Sequence, residues 1–346
     1  MRYFLSFLFG WGVCLLITPV VRRVALKMGV VDRPRGLRKI HDQAVPLLGG
    51  IAVYLTFIAG VVFFLKFGIV DATSTSFHDW WLVLIGGLAI IVGGILDDIF
   101  DLPPVLQFIF PLLATVTVIF GGVKVAFVGS PFGGILHLPG WFGLGIAAIW
   151  LLGLMYTTKF LDGLDGLVCG VTAIASVVIF IVSLFWDDRS SATGVLALLV
   201  AGISVGFLRL NFYPAKIFLG EGGSVFLGYV LGILSIISGS KIATAMLVMA
   251  LPIIDTLWVI VKRLKQGRSP VLGDRKHFHF RLLDRGWSQT QVVIFMYGVT
   301  LIYGITGLFL GTRGKVVAII VIVITTTWLI SFFYTPMSRR SSRRIR

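Results

Sequence analysis

"WWLVLIGGLAIIVGGILDDIFDLPP", residues 80–104, opens with about seventeen almost wholly apolar residues and then places three carboxylates within five positions. An apolar run of this length can cross the hydrocarbon core of a bilayer as a helix. Carboxylates that follow it directly oppose the helix dipole at the C-terminus, which is an unfavourable arrangement. The stretch therefore predicts a membrane-spanning helix that ends in an unusual cluster of acids.

The composition of the whole chain supports a membrane protein. The 346 residues are 57% hydrophobic and 13% charged, and the mean hydropathy is +0.99. These values are too apolar for a water-soluble globular domain and predict an all-α polytopic membrane protein. The net charge of +15 is spread between hydrophobic segments, so we expect no nucleic acid partner. Cys14 and Cys169 lie in apolar runs and predict no disulfide framework.

Hydropathy divides the chain into about eleven apolar windows, each a candidate transmembrane helix. The windows are residues 4–21, 48–67, 80–96, 104–121, 141–158, 166–185, 193–210, 224–238, 242–261, 291–310 and 316–334. The window at 224–238 is short, so its helix is expected to be tilted or to begin in the preceding loop. Residues 122–140 predict a small β-hairpin on the outer side, around a Gly/Pro turn. We treat residues 1–346 as a single integral membrane domain.

Lys and Arg residues are distributed unevenly between the loops on the two sides. One side has 23 of the 30 and the other has seven. Because positive charge is retained in the cytosol, this asymmetry predicts an outer N-terminus and a cytosolic C-terminus in a plasma or inner membrane. Residues 337–346 then form a basic cytosolic tail that contacts anionic lipid. Most of the acids also fall on the cytosolic side, so potential chemistry is expected there.

Asp97, Asp98 and Asp101 form the first acidic cluster. Spacings of three and four residues place Asp101 on the same helix face as each of the other two. No Lys or Arg lies beside them in the sequence to offset the repulsion. A solvated helix end is the alternative, but the uncompensated charge favours a metal ion or a cationic ligand.

Two further acidic segments follow at predicted inner boundaries. In "KFLDGLDGL", residues 159–167, Asp162 and Asp165 are each followed by glycine, which would let backbone N–H groups approach a phosphate closely. The alternative is an ordinary helix N-terminus with Asp as its cap. In "FLGEGGSVFLG", residues 218–228, Glu221 lies among glycines, and a plain turn is an equally good interpretation.

The last motif is a cation-rich loop, "GDRKHFHFRLLDRG", residues 273–286. His277 and His279 are two apart, on one side of an extended segment, with Arg275 and Arg281 close by. Histidines at this spacing can bind zinc, but no further cysteine or histidine completes a tetrahedral site. Recognition of a phosphate fits the surrounding charges better. Carboxylates for a hard divalent cation and a basic loop for phosphates together describe phosphoryl transfer.

These segments, in this order, resemble the polyprenyl-phosphate N-acetylhexosamine-1-phosphate transferases, the MraY/WecA/TagO-like glycosyltransferase 4 family. The matching segments are "DRPRGLRKIHDQAVPLLGG", "DDIFD", "FLDGLDGL", "FLGEGGS", "LPIIDTLWV" and "DRKHFHFRLLDRG". The resemblance covers nearly the whole chain. It implies a membrane enzyme that moves a sugar 1-phosphate from a UDP-sugar to undecaprenyl phosphate, releases UMP and starts a lipid-linked cell-envelope glycan. N-acetylglucosamine is the default sugar, Mg²⁺ or Mn²⁺ the cofactor, and a homodimer is left open.

The resemblance also assigns roles to the acids that match the family's motifs. Asp97 and Asp98 match the catalytic aspartate pair, and Asp98 is the better candidate to deprotonate the lipid phosphate or to act as nucleophile. Asp162 and Asp165 match the second acidic motif, near the nucleotide and the metal. Asp98 and Glu221 are the implied metal ligands.

The implied substrate-binding residues are basic. His277 and His279 match the first two histidines of the family's sugar- and phosphate-binding loop. Arg275 and Arg281 flank them, and Lys159 precedes the second acidic motif.

Four positions depart from the family's usual pattern. Lys159 and Tyr156 replace asparagines, Glu221 replaces an aspartate, and Phe280 replaces a third histidine. A protonated lysine cannot ligate a metal. We hypothesise that Lys159 contacts a phosphate or pairs with Glu221, and that the magnesium shifts toward Asp98.

Two other classes of protein are compatible with part of the pattern. Membrane prenyltransferases also hold magnesium and pyrophosphate with aspartate-rich helix ends, and they would release pyrophosphate instead of UMP. A transporter would use an intramembrane acid such as Asp255 as an ion site. We interpret Asp255 instead as a polar packing residue bonded to a neighbouring helix.

Overall fold

The computed structural model describes residues 1–33, 44–70, 80–186, 192–238, 241–267 and 275–334. Most of these residues belong to helices. The helices are α1 (Arg2–Met28), α2 (Gly49–Lys66), α3 (Trp80–Phe100), α4 (Pro104–Phe120), α5 (Gly140–Leu161), α6 (Leu167–Trp186), α7 (Ala192–Asn211), α8 (Gly220–Ile237), α9 (Ile242–Val248), α10 (Ala250–Lys265), α11 (Phe278–Asp284), α12 (Gln289–Phe309) and α13 (Thr312–Tyr334). The strands are β1 (Val31–Asp32), β2 (Val45–Pro46), β3 (Phe127–Gly129) and β4 (Ile135–His137).

Nine helices in the described part of the chain are long and apolar enough to cross a membrane. They are α1, α2, α3, α5, α6, α7, α8, α12 and α13. A bent pair, α9 and α10, counts as a tenth if it is taken as one span, and α4 is apolar but shorter, with 17 residues. Each predicted apolar window overlaps one of these helices or the bent pair, which confirms a mostly helical polytopic membrane protein.

The window at 242–261 was expected to be one continuous helix, and this expectation was wrong. Helices α9 and α10 meet at a bend of 78°. Pro252 lies in the first turn of α10 and has no N–H to donate. Its ring also clashes with a helical carbonyl four residues earlier, at Val248, which is the last residue of α9. The proline therefore accounts for the break.

Helix α8 is the central helix of the bundle, and 94% of its span is buried. Glycines let it pack closely on two neighbours. A Cβ on Gly94 of α3 would overlap with the backbone of Gly222, and a Cβ on Gly50 of α2 would overlap with that of Gly223. Small residues of this kind allow the backbones of membrane helices to approach each other closely. Helix α8 begins at Gly220, before the short apolar window at 224–238. This confirms the expectation that the helix begins in the preceding loop.

The predicted β-hairpin is present. Strands β3 and β4 pair antiparallel, with Phe127 opposite His137. Arg313 of α13 donates its Nε–H to the carbonyl of Pro131 at 2.7 Å, which ties the hairpin tip to the bundle. A second pair, β1 with β2, joins Val31 to Pro46 and was not predicted from the sequence.

Both cysteines are packed in the core. Cys14 and Cys169 are buried free thiols. The predicted basic tail, residues 337–346, lies outside the described residues, as do residues 34–43 of the first motif and residues 273–274 of the last.

The close contact between α3 and α8 predicts that Gly94→Ala destabilises the fold. The new Cβ would overlap with the backbone of Gly222, which cannot move as a flexible side chain does. Overpacking of this kind costs about 1–3 kcal/mol. Thermal unfolding of the protein in detergent should show a clear loss of stability. Gly153→Ala in α5 is the matched control, because nothing lies within 4 Å of its Cβ position; equal stability of the two variants would contradict the packing argument.

Candidate active site

A cavity of about 1320 Å³ lies where the C-terminal ends of α3 and α5 meet the N-terminal end of α8. The three acidic motifs are far apart in the sequence, and the fold brings them to this cavity. Of the ten residues predicted for the site, seven line it: Asp97, Asp98, Lys159, Asp162, Asp165, Glu221 and His277. The other three, Arg275, His279 and Arg281, do not line it.

The first motif turns away from α3 as soon as the helix ends. Helix α3 stops at Phe100, and Asp101 has a left-handed backbone with φ 50° and an exposed side chain. The expectation that Asp101 continues the same helix face was therefore wrong. The carboxylate of Asp97 accepts hydrogen bonds from the N–H of Leu102 at 3.0 Å and from Nε2 of Gln107 at 2.8 Å.

A hydrogen-bonded network supplies the cation that the sequence around the first motif lacked. Lys159 of α5 donates to Oε1 of Gln107 at 2.7 Å and to Oε1 of Glu221 at 2.5 Å. The Lys159 and Glu221 side chains are only 14% and 18% exposed. Through Gln107, which also binds Asp97, one ammonium group links the first acidic motif to the third, which holds Glu221. The hypothesis that Lys159 pairs with Glu221 is confirmed.

Asp98 approaches the first residues of α8. Its Oδ1 accepts a hydrogen bond from the N–H of Glu221 at 3.3 Å. Gly220 is required here for two reasons: its φ of +72° favours glycine, and a Cβ would overlap with the Asp98 carboxylate. A carboxylate beside the N-terminus of a helix is stabilised by the helix dipole. The glycines around Glu221 therefore form the start of a buried helix against Asp98, and the plain-turn interpretation is wrong.

The second motif closes α5 and forms one wall of the cavity. Asp162 follows the last residue of α5, and α6 begins only at Leu167, so Asp162 does not cap a helix N-terminus. Asp165 accepts a hydrogen bond from the N–H of Ala215 at 2.9 Å. The Asp162 side chain opens onto the cavity, but desolvation by the surrounding protein and repulsion from Asp165 raise its pKa to about 7. An added cation would be stabilised here.

The two glycines of this motif have structural roles. The N–H of Gly163 donates to the carbonyl of Leu161 at 2.8 Å, and the N–H of Gly166 donates to Oδ1 of Asn211 at 3.2 Å. Both of these N–H donors are already used within the protein, so neither is left to bind a phosphate. Gly163 instead makes room for the histidine motif: a Cβ there would lie 2.5 Å from Nε2 of His279.

The histidine motif is not extended as predicted, because α11 begins at Phe278. His277 precedes the helix with φ −65° and ψ 152°, and His279 lies in its first turn. Their rings are nevertheless parallel, with centroids 5.7 Å apart and an interplanar angle of 7°. His279 is fully buried, and among the described residues neither of its ring nitrogens has a hydrogen-bond partner. Burial and the neighbouring His277 lower the pKa of His279 well below its usual value.

The flanking arginines of this motif do not line the cavity. Arg275 pairs with Asp284 at 3.3 Å, and its guanidinium carbon lies 5.4 Å from the ring centroid of Phe280. Arg281 is half-buried. Phe280 itself lines the cavity, at the position where the family pattern has a histidine.

Sequence reasoning missed two polar residues of the site. Asp255 binds the histidine motif: its Oδ2 lies 2.9 Å from Nδ1 of His277, and its Oδ1 accepts the N–H of Phe278 at 2.9 Å. Its partner is thus the N-terminal end of the neighbouring helix α11, which agrees with the packing interpretation, but its contact with the site was not predicted. A buried acid on the same side as a cation-rich loop was the available clue. Gln107 carries no charge and belongs to no motif, so nothing in the sequence marked it.

The carboxylates suit a magnesium ion better than a fully protein-ligated metal. Among the residues that the structure describes, no three His, Cys, Asp or Glu side chains are grouped to hold a metal. Magnesium usually keeps several waters and is bound by one or two carboxylates together with substrate phosphates. Asp98 and Glu221 supply that number, although Lys159 already occupies one Glu221 oxygen.

Comparison with known proteins identifies the class to which this fold and site belong. Residues 80–239 match the glycosyl transferase family 4. The chain is 33% identical, over 89% of its length and 85% of the relative, to a probable undecaprenyl-phosphate N-acetylglucosaminyl 1-phosphate transferase of Bacillus subtilis (strain 168). It is 31% identical to the decaprenyl-phosphate N-acetylglucosaminephosphotransferase of Mycolicibacterium smegmatis (80% of this chain, 74% of the relative).

A third relative has the same type of activity in its name. The undecaprenyl-phosphate alpha-N-acetylglucosaminyl 1-phosphate transferase of Escherichia coli (strain K12) is 31% identical, over 79% of this chain and 74% of the relative. The protein is thus a membrane-embedded transferase. It belongs to the family of polyprenyl-phosphate N-acetylhexosamine-1-phosphate transferases, as the motifs implied.

The network around Lys159 predicts that Lys159→Met destabilises the protein. The substitution leaves the mostly buried Glu221 carboxylate without its cation, and an unsatisfied buried group costs about 1–3 kcal/mol. The measurement is the free energy of unfolding in mixed micelles. Lys66→Met, at the exposed end of α2, is the control and should change it by less than about 0.5 kcal/mol.

A double-mutant cycle of Lys159 and Glu221 tests the ion pair itself. Adding Glu221→Gln to Lys159→Met should recover part of the lost stability, because the unpaired charge is removed. Simple addition of the two single effects would show that the ion pair does not determine the stability of the cavity wall.

Proposed function

We propose that this protein transfers N-acetylglucosamine 1-phosphate from UDP-N-acetylglucosamine to a polyprenyl phosphate and releases UMP. The observation that carries the proposal is the meeting of Asp98, Glu221 and Lys159 in one cavity at the ends of membrane helices. The names of the relatives, which specify N-acetylglucosamine and an undecaprenyl or decaprenyl phosphate, support the sugar and the acceptor.

In the proposed reaction, an oxygen of the lipid phosphate forms a bond to the β-phosphorus of the UDP-sugar. The bond between that phosphorus and the bridging oxygen breaks, and UMP leaves. Asp98 takes the proton of the lipid phosphate in this proposal, and the position of its carboxylate at the cavity end of α3 supports that role. Proton transfer to a positioned carboxylate contributes about 10²–10⁴-fold to a rate.

Charge compensation is the second requirement of this reaction. Mg²⁺, with Mn²⁺ as an alternative, would be held by Asp98 and Glu221 and would offset negative charge on the phosphates. Lys159 lies at the same place and adds a fixed positive charge. Its bond to one oxygen of Glu221 supports a magnesium position shifted toward Asp98.

The proposed topology has about eleven spans, with the N-terminus outside and the cavity on the cytosolic side of the plasma or inner membrane. The excess of Lys and Arg on that side, 23 against seven, supports this orientation. UDP-sugars are cytosolic, and a lipid phosphate held at the membrane surface reaches the depth of the helix ends. The product would start a lipid-linked cell-envelope glycan.

The decisive assay incubates purified protein with undecaprenyl phosphate and a panel of UDP-sugars. We expect UMP release with UDP-N-acetylglucosamine, and loss of this release when EDTA removes the divalent cation. Asp98→Asn should lower kcat by about 10²-fold or more, because it removes the proton acceptor. Asp284→Asn, an exposed carboxylate at the end of α11, is the matched control and should retain activity. Release of pyrophosphate instead of UMP would identify a prenyltransferase, and no UMP with any sugar would refute the proposal.

The orientation can be tested by cysteine labelling, because both native cysteines are buried. Phe132→Cys places a thiol at the hairpin tip, where the side chain is 91% exposed. A membrane-impermeant maleimide should label it in intact cells. Asp284→Cys, also exposed, should be labelled only after the cells are permeabilised. The reverse pattern would invert the proposed topology.

A further inference from the structure

Lys159 lines the acidic cavity, and three contacts hold its ammonium group in place. Nζ donates to Oε1 of Gln107 at 2.7 Å and to Oε1 of Glu221 at 2.5 Å. It also lies 5.6 Å from the centroid of the Tyr156 ring, a distance at which a cation is attracted to an aromatic face. The side chain is mostly buried. The positive charge is therefore a fixed part of the cavity wall.

The side-chain amide of Gln107 can adopt only one orientation in this network. Its Nε2 donates to Oδ1 of Asp97 at 2.8 Å and to the carbonyl of Leu102 at 2.9 Å, so both of its N–H groups are used. A flipped amide would place these N–H groups against the Lys159 ammonium and the amide oxygen against a carboxylate. Gln107 thus presents its oxygen to Lys159, which keeps the ammonium beside Glu221.

The position of the ammonium makes Glu221 a poor ligand for a second cation. Lys159 already binds one of the two carboxylate oxygens. Asp98, the other implied metal ligand, lies against the same helix end, where its Oδ1 accepts the N–H of Glu221 at 3.3 Å. A divalent cation on these two carboxylates would therefore lie close to a fixed positive charge, in a mostly buried wall that water screens poorly. Repulsion between like charges is strong under these conditions, and it lowers the affinity for the divalent cation.

The diphosphate of a nucleotide-sugar supplies the anion that would offset this repulsion. Its oxygens are additional ligands for magnesium, which usually binds to one or two carboxylates together with substrate phosphates. An ammonium group has three N–H donors, and among the described residues Gln107 and Glu221 accept two of those on Lys159. A third donor thus remains for an anion in the cavity. The diphosphate and the divalent cation are therefore expected to bind more tightly together than separately.

We propose that Lys159 competes with the divalent cation for Glu221 in the free protein, and that it releases this carboxylate only when the diphosphate of the nucleotide-sugar binds. The inference rests on the proposed function, and it deepens that function by defining the order in which the cavity is filled. Lys159 departs from the family's usual asparagine, which is neutral, so the competition is a property of this chain. The ammonium neutralises Glu221 until the donor substrate binds.

The first test measures Mn²⁺ binding to the purified protein without nucleotide, by electron paramagnetic resonance. Lys159→Met removes the competing charge and should raise the affinity for Mn²⁺ about tenfold or more, because the repulsion is lost. Adding Glu221→Gln to Lys159→Met should abolish this gain, which would assign it to the Glu221 carboxylate. Lys66→Met removes a positive charge outside the cavity and is the matched control; its affinity for Mn²⁺ should equal that of the wild type.

The second test repeats the titration with UDP present, corrected for the Mn²⁺ that UDP binds without protein. In the wild type, UDP should raise the affinity of the protein for Mn²⁺ about tenfold, because its phosphates offset the charge of Lys159. In Lys159→Met the increase should be smaller by about threefold or more, since the charge that UDP has to offset is absent.

Thermal unfolding gives an independent measurement. Mg²⁺ without nucleotide should raise the unfolding temperature of Lys159→Met more than that of the wild type, because a cation that binds the folded state more tightly stabilises it more. If Lys159→Met does not fold, Lys159→Gln takes its place in all three measurements. Its amide can donate a hydrogen bond to Glu221 without carrying a charge.

Two results would overturn the inference. One is Mn²⁺ binding by the nucleotide-free Lys159 variant that is no tighter than that of the wild type, and the other is an equal effect of UDP on both proteins. None of these measurements uses turnover. If the wild type releases no UMP from any UDP-sugar, the proposed function fails while the nucleotide-free titration still tests the competition. UMP release by a wild type that binds Mn²⁺ as tightly as the variant would refute the inference alone.

Discussion

The contact between the Lys159 ammonium and the Glu221 carboxylate is the interaction on which the cavity depends. Several acids lie at the ends of apolar helices, where their mutual repulsion is poorly screened by water. Lys159 is linked directly to Glu221 and, through the Gln107 amide, to Asp97. One cation thus joins α3, α5 and α8 at the point where their ends converge. Without it, the same carboxylates would push those helix ends apart.

Close helix packing makes this arrangement sterically feasible. Asp98 reaches the first turn of α8 only because Gly220 has no side chain, and α3 approaches α8 only because Gly94 and Gly222 are both glycines. The same logic operates at the second motif, where Gly163 admits the His279 ring. The glycines beside the acids therefore determine distances between helices, and the acids themselves determine the chemistry.

Sequence reasoning predicted the features that depend on local composition. Apolar run length located the helices, alternation around a turn located the β3–β4 hairpin, and acid spacing located most of the cavity residues. It failed where a long-range contact decides the outcome. Gln107 belongs to no motif, the partner of Asp255 is set by tertiary packing, and the N–H of Gly166 donates to Asn211, 45 residues further along the chain. Pro252 could have predicted the 78° bend, but the length of the apolar run alone gave no sign of it.

The central position of α8 has a consequence for how the protein responds to its bilayer. The span of α8 is 94% buried, whereas that of α13 is only 17% buried. Changes in hydrocarbon thickness act on helices that touch lipid, by tilting them or by deforming the surrounding bilayer. Helix α8 touches almost none, so the depth of Glu221 is set by its protein neighbours. Peripheral helices can adapt to a thicker or thinner membrane while the carboxylates keep their mutual distances. The geometry of the cavity therefore depends little on the chain length of the bilayer lipids.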